Sequence, residues 1–379
     1  MRLEVAVKNS RAFGRLLVFA FYLLRLPLFL FRRRPADASV RRILLLHHLL
    51  LGDSLMVVSL LAKARARYPD AEIYLAMPKL AASLFGERPY GVIPLGFSPK
   101  DVGSIWRLFR LPRIDLAYLP ADNRYGWMAR ALGARWVIGF AGDRPDHKNW
   151  AVDELRPYPQ SPMTWSDAVM ELIDGAGPAP FSLGQWRVAA EALPFNLPSS
   201  YAVLHLGASS ALRHWAPENW NALAAAIRAE GRAVVWSCGP GEQGLLEGIE
   251  SLAEDVVVAG SLSLRQLRFL IAGADYLVSP DTGVAHLGRV ACTPTLVLFG
   301  PGPATLFGNG AFWQNCPFEP VTEPVFPCRN QQILFFREVE WLRRCERFHG
   351  DAPGQCARAQ CMEAISVAMV EAGLKRLGY

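Results

Sequence analysis

Little in this chain points to a crosslinked scaffold, a membrane span or a polyanion-binding core. Cysteine is sparse, with seven among 379 residues, and nothing in that number requires an oxidising compartment, so a cytoplasmic location is the expectation. No paired C-x-x-C spacing occurs, which removes the usual zinc frameworks. Cys328, Cys345, Cys356 and Cys361 crowd into one tail; they offer thiols to a metal, although packed or free thiols are the plainer reading. A spanning helix needs roughly 20 apolar residues, whereas the run 16–31 has 16 and contains Arg25 and Pro27. Charge is nearly balanced beyond the first 42 residues, with 30 basic against 32 acidic. That balance argues against nucleic acid as a partner, because a basic patch would have to lie on the folded domains.

What is present is a globular chain, 51% hydrophobic, too long for one ordinary core. The expected division is an arm at 1–40, a first domain at 41–185, a linker at 186–200, a second domain at 201–345 and a tail at 346–379. Residues 1–42 hold ten Lys or Arg against Glu4 and Asp37. The triplet Arg32-Arg33-Arg34 after the apolar run resists translocation, which opposes a cleaved signal peptide. The arm therefore reads as a segment lying in the inner face of a membrane, held by apolar burial and by anionic lipid; a helix packed on the domain surface is the alternative.

From Arg42 onward short apolar runs alternate with helical patterns, which predicts parallel sheets covered on both faces. The first strand, Arg42-Ile43-Leu44-Leu45-Leu46-His47-His48, passes through Gly52-Asp53-Ser54 into a helix. Asp53 then falls at a strand's carboxyl end, where open α/β sheets bind ligands; it is either a helix cap or a carboxylate over a cleft. Asn123 and Arg124 occupy a later strand-to-helix loop and are candidates for the same cleft, with a solvated surface charge the commoner fate of a loop arginine. In the second half, Tyr201 to Gly207 reads as a strand followed by a loop holding Arg213, whose planar fork suits phosphate. Pro217 starts the next helix. Glu242, after the strand 233–238, is placed to accept ribose hydroxyls, and no dinucleotide site is assigned there. The strand ending at Ser279-Pro280 opens through Asp281-Thr282-Gly283 into a helix whose first N–H groups offer a seat for a diphosphate.

Taken together, Leu51-Gly52-Asp53 with Tyr68-Pro69-Asp70-Ala71, Arg213-His214-Trp215 with Pro217-Glu218-Asn219-Trp220, and Ser279-Pro280-Asp281-Thr282-Gly283 with His286-Leu287 resemble the lipopolysaccharide heptosyltransferases of glycosyltransferase family 9. The resemblance runs from about Arg42 to Leu374. It implies the GT-B architecture, two facing Rossmann-like domains with parallel sheets, and an inverting, metal-independent, cofactor-free transfer of heptose from ADP-heptose to a lipopolysaccharide or lipid-linked acceptor. Carried onto this chain, Asp53 matches the general base and Arg213 takes the place of a basic residue at the donor phosphates. Thr282 and Gly283 match the diphosphate seat, Asp281 the sugar contact and Glu242 the nucleoside contact. The chain has no D-x-D carboxylate pair, so positive charge for the leaving group falls to the protein. The apolar stretch before Gly52 and the extra Ala216 before Pro217 depart from the family pattern. The expected setting is cytoplasmic, peripheral on the anionic inner-membrane surface. The alternatives are transfer of another sugar to surface polysaccharide, or a non-catalytic membrane-associated partner.

Overall fold

The computed structural model describes residues 11–29, 32–323 and 325–379. The chain divides into two compact units. The first gathers the stretch ending at Ser161 with 166–179 and Ile333–Glu340, and the second gathers 162–165, 180–332 and Trp341–Tyr379.

The first unit is built on six parallel strands: β1 (Arg42–Leu46), β2 (Glu72–Pro78), β3 (Ile93–Phe97), β4 (Leu116–Leu119), β5 (Trp136–Phe140) and β6 (Glu154–Arg156), ordered β3-β2-β1-β4-β5-β6. Ile43 to Leu46 are all buried, as a central strand covered on both faces requires, and this is why β1 reads as an unbroken apolar run. The edge strands β3 and β6 escape the sequence reading: Pro94 and Gly96 interrupt one, and Glu154 and Arg156 bracket the other. The main helices are α1 (Arg11–Arg25), α2 (Leu51–Met56), α3 (Val58–Arg67), α4 (Val102–Leu108) and α5 (Tyr125–Ala131). Asp101 fixes the start of α4 by accepting the Ser104 N–H at 3.2 Å.

The described part of the arm is α1, and one side of it packs on this unit. Phe21 stacks on Phe109 at 4.1 Å and meets Trp106 edge-on at 5.8 Å, while Tyr22 meets Trp127 at 4.9 Å. Gly14 allows the approach, since a Cβ there would stand 2.9 Å from Ile105 Cδ1. The opposite side exposes Phe13, Leu16, Phe19, Leu23 and Leu24. Arg2, Lys8 and Phe31 of the expected arm lie outside the described residues. Among the described residues no helix is long and apolar enough to cross a membrane.

The second unit repeats the plan with β7 (Tyr201–His205), β8 (Ala233–Cys238), β9 (Val256–Ala259), β10 (Tyr276–Pro280), β11 (Thr295–Leu298) and β12 (Phe318–Val321), all parallel, in the order β12-β11-β10-β7-β8-β9. Its main helices are α6 (Pro217–Ala229), α7 (Leu264–Ala272), α8 (Gly283–Val290) and α9 (Val367–Leu377). Pro217 opens α6 at its first position, and Ser263 with Gln266 forms a capping box on α7. The tail belongs to this core: Val370 and Leu374 of α9 are buried among Leu296, Leu298 and Val321, and the Trp215 indole donates to the Ile365 carbonyl at 2.8 Å. Cys292 and Cys316 form a disulfide and the other five cysteines are thiols. A two-stranded antiparallel hairpin, β13 (Ile333–Leu334) and β14 (Arg337–Glu338), counts with the first unit.

Candidate active site

Each sheet changes the direction of its strand order at one place, between β1 and β4 in the first unit and between β7 and β10 in the second. Loops leaving the carboxyl ends of those neighbouring strands diverge and leave a crevice, which is where such sheets bind ligands. In the first unit a cavity of about 260 Å³ lies there. The loop after β1 contributes His47, His48, Leu49, Leu50 and Asp53, and the loop after β4 contributes Ala121, Asp122, Arg124 and Tyr125. Asp53 stands in the first turn of α2, whose cap position is Leu50, and lines the cavity. Asp122 accepts the Arg124 backbone N–H at 2.9 Å and pairs with the Arg124 guanidinium.

Asn123 is placed differently from its neighbour. It is fully buried, its amide donates to the Phe140 carbonyl and to Asn149 Oδ1, both at 2.7 Å, and its backbone N–H donates to Asp143 at 2.7 Å. The expectation that it lines the cleft is corrected: its amide is turned inward to those partners, and only Arg124 of the pair lines the cavity.

The remaining wall of the cavity is Phe335 and Phe336, at the tip of the β13–β14 hairpin. Both have left-handed backbone, with φ 45° and 69°, a conformation costly for bulky residues and kept only where surroundings enforce it. Here the enforcement is a buried polar network. Arg337 donates to the Ala121 carbonyl at 2.6 Å and the Ala141 carbonyl at 3.2 Å, with Asp143 at 3.5 Å. Lys148 sits 3.1 Å from Asp143 and 3.5 Å from Asp122, and its ammonium lies 3.5 Å above the Phe336 ring. Burial lowers the Arg337 pKa from its ordinary value, against the pull of Asp143. Sequence reasoning missed the hairpin, Arg337 and Lys148, because they come from distant stretches with no motif of their own.

The second unit assembles the other expected residues. Arg213 ends a short 3-10 turn capped by Ser210, and its guanidinium donates to the Asp281 carbonyl at 2.7 Å, 3.9 Å from that residue's carboxylate. Asp281 is buried and is not the cap of α8. Thr282 takes that role, its hydroxyl accepting the Val284 N–H at 3.2 Å. Burial raises the Asp281 carboxyl above the usual carboxylate range, opposed by Arg213, Arg289 and Arg344. Gly302 leaves room for it, since a Cβ there would lie 2.2 Å from Asp281 Oδ2. Residues Val284 to Val290 are buried throughout, so the amino-terminal charge of α8 acts in a weakly screened setting. His286 is buried beside Phe307 and Phe318.

Glu242 lies at the carboxyl end of β8 and accepts the Gly239 N–H at 2.7 Å, spanning Gly207 after β7. Gly239, Gly241 and Gly244 carry the spacing of a dinucleotide fingerprint, but the strand is followed by a single 3-10 turn, Gln243–Leu246, rather than by a helix. The pyrophosphate seat that the fingerprint needs is therefore missing at this loop. Among the described residues no group of three or more His, Cys, Asp or Glu lies together to hold a metal, the four late cysteines included.

These features agree with what the chain is similar to. The profile of glycosyltransferase family 9 (heptosyltransferase) matches residues 119–322. Lipopolysaccharide heptosyltransferase 1 of Pseudomonas aeruginosa is 29% identical over 264 residues, covering 62% of this chain and 74% of the relative. Among solved structures, a glycosyl transferase family 9 protein of Veillonella parvula superposes with a TM-score of 0.65 at 13% identity, covering 91% of this chain and 99% of the other. The ADP-heptose lipopolysaccharide heptosyltransferase II of E. coli gives 0.62 at 17% identity, with 89% and 98% covered. Two Rossmann-like units of the GT-B kind, with arginine and a capped helix at one crevice and a carboxylate at the other, are thus set in a chain that belongs to glycosyltransferase family 9, the heptosyltransferases.

Proposed function

We propose that the chain transfers heptose from ADP-heptose to a hydroxyl of a lipopolysaccharide core acceptor, with inversion and without a bound metal. The observation that carries this reading is the bond from Arg213 to the Asp281 carbonyl, 2.7 Å long, at the start of a buried helix. A fixed guanidinium beside first-turn amides is a seat for a diphosphate. Asp53 removes the proton of the acceptor hydroxyl, whose oxygen attacks the anomeric carbon of the donor. The bond from that carbon to the diphosphate oxygen breaks, and the electron pair leaves on the diphosphate. Arg213, the Thr282 hydroxyl and the Gly283 N–H receive the charge. Asp281 contacts the sugar and Glu242 the nucleoside. A single displacement of this kind inverts the anomeric centre.

The acceptor is lipid-linked, and the setting we propose is the cytoplasmic, anionic face of the inner membrane. Supporting the donor and acceptor are the relative named for lipopolysaccharide and the similar structure named for ADP-heptose. Supporting the setting is the apolar outer side of α1, with Leu24 75% exposed. The test is a panel of ADP-, UDP- and GDP-sugars offered to the purified protein, with binding, turnover and the anomeric configuration of the product measured. ADP-heptose is expected to bind best and to be transferred with inversion in the presence of a chelator. Preference for another nucleotide, retention at the anomeric carbon, or activity that needs added Mg²⁺ would each overturn the corresponding part.

A further inference from the structure

Three guanidinia bear on Asp281. Burial raises its carboxyl, and Arg213, Arg289 and Arg344 oppose the rise. Two of the three are committed elsewhere. Arg213 donates to the Asp281 carbonyl at 2.7 Å. Arg289 is buried, donates to the Phe307 and Gly308 carbonyls, both at 2.9 Å, and lies 3.8 Å above the Phe318 ring. Arg344 is half-buried, and among the described residues its guanidinium forms no hydrogen bond or ion pair. A guanidinium held partly out of water without a partner forgoes hydration that a bound anion would replace.

Backbone bonds fix Arg344 in this place. The Asp281 N–H donates to the Leu298 carbonyl at the end of β11, at 3.1 Å. The loop that follows brings Gly302 against the Asp281 carboxylate, where a Cβ would lie 2.2 Å from Oδ2. The same loop accepts the Cys345 N–H on the Pro301 carbonyl at 3.1 Å, and Arg344 exchanges two backbone bonds with Gln331, at 2.9 and 3.1 Å. Arg344 is thus tied beside the loop that closes over Asp281. It lies beyond residues 119–322, the stretch matched by the family profile, so the profile assigns it no role.

Charge gives it one. A diphosphate at the start of α8 would lie near Asp281, whose Oδ2 is buried without a hydrogen-bond partner. Arg213 stands 3.9 Å from that carboxylate, and its single charge, with the partial charge of the helix end, does not balance both the carboxylate and a diphosphate. An uncommitted guanidinium, whose planar fork takes two phosphate oxygens, supplies the difference.

We propose that Arg344 is a second cation of the donor seat, binding the diphosphate together with Arg213 and taking up part of the charge as the diphosphate leaves; this rests on a nucleoside diphosphate sugar being the donor. Two measurements on the full-length protein test it. In the first, calorimetry gives the Kd of ADP, adenosine and inorganic pyrophosphate for wild type, Arg344→Gln and Arg344→Lys. Glutamine should weaken ADP and pyrophosphate roughly 10- to 100-fold, as loss of a hydrogen bond to a charged group predicts, and leave adenosine unchanged. Lysine, which restores the charge without the fork, should recover part of the loss. Equal pyrophosphate Kd for glutamine and wild type, or an equal loss for adenosine, overturns the role. In the second, arginines of the wild type are modified with phenylglyoxal and mapped by mass spectrometry, with and without saturating pyrophosphate. Arg344 is expected to react in the free protein and to be protected by pyrophosphate. Equal modification in both states, or none in the free protein, overturns the proposal without relying on a variant that folds. If the wild type binds pyrophosphate but no ADP, the nucleotide assigned to the donor is wrong, while Arg344 still stands or falls by its pyrophosphate results; binding of neither overturns both.

Discussion

Asp53 and Asp281 are both carboxylates just past the end of a central strand, and their surroundings set them different tasks. Asp53 is half-buried and lines an open cavity, as the proposed base would need. Asp53→Ala is expected to lower turnover on the order of 10²- to 10⁴-fold while the Kd for ADP stays unchanged; undiminished turnover would remove this residue from the mechanism. Asp281 is buried with its carboxyl raised above an ordinary value of 3.8. Between that value and the folded one, the folded chain keeps a proton that the unfolded chain has released, so stability falls as pH rises through the window. Above 3.8 the shift is therefore a cost to the fold. Asp281→Asn should raise Tm at pH 7, with a gain that shrinks as pH falls toward 3.8, and should weaken donor binding. A variant of unchanged or lower Tm at pH 7 would show that Arg213 already compensates the charge.

At the scale of elements, α1 has apolar residues all round. Its inner stripe, Gly14, Leu17, Val18, Phe21 and Tyr22, recurs at three- and four-residue intervals and faces the core. The outer side would be polar on a helix bathed in water, yet it carries Leu16, Phe19, Leu23 and Leu24, with Arg11 and Arg15 at one end. An apolar outer side of this kind suits the lipid surface we propose for it. Changing Leu16, Phe19 and Leu24 together to Glu should reduce partition onto anionic vesicles by at least about 100-fold, since each side chain gives up about 1.5–3 kcal/mol of burial. Cosedimentation measures this, and full retention by the triple variant would put membrane contact elsewhere. The sequence made both sides of α1 visible as one apolar run and left undecided which of them the protein itself covers. The strands divide in the same way: β1 and β10 are legible because burial on both faces makes them continuous apolar runs, while β3 and β6 lack such a run. The hairpin was beyond reach for a stronger reason. Its turn residues are Phe335 and Phe336 with positive φ, a conformation that sequence reasoning assigns to Gly or Asn.

Over the whole molecule, the strand order placed Asp53 at one crevice and Arg213 with Asp281-Thr282-Gly283 at the other. Those residues were legible because strand ends can be located from apolar runs. The cavity's far wall was not, because Phe335 and Phe336 meet the rest of the lining across roughly 210 to 290 residues of chain. Buried histidines add a property of the chain as a sum. Burial pushes His47 down to about 3, His205 to about 4 and His286 well below 6.5. Each stays neutral in the folded chain and takes a proton once unfolded, so this stability is complete above 6.5 and is lost as pH falls through the folded values. Denaturation followed between about pH 6.5 and 4 should show uptake of about three protons on unfolding; a flat profile there would mean that the rings ionise in place. The β13–β14 hairpin has a consequence for synthesis. The ribosome makes the first sheet, then the whole second sheet, and only then residues 333–340 that complete the first unit. A nascent chain stopped before Ile333 therefore has its carboxylate Asp53 but no aromatic wall beside it, and this cavity is among the last features of the protein to come into being.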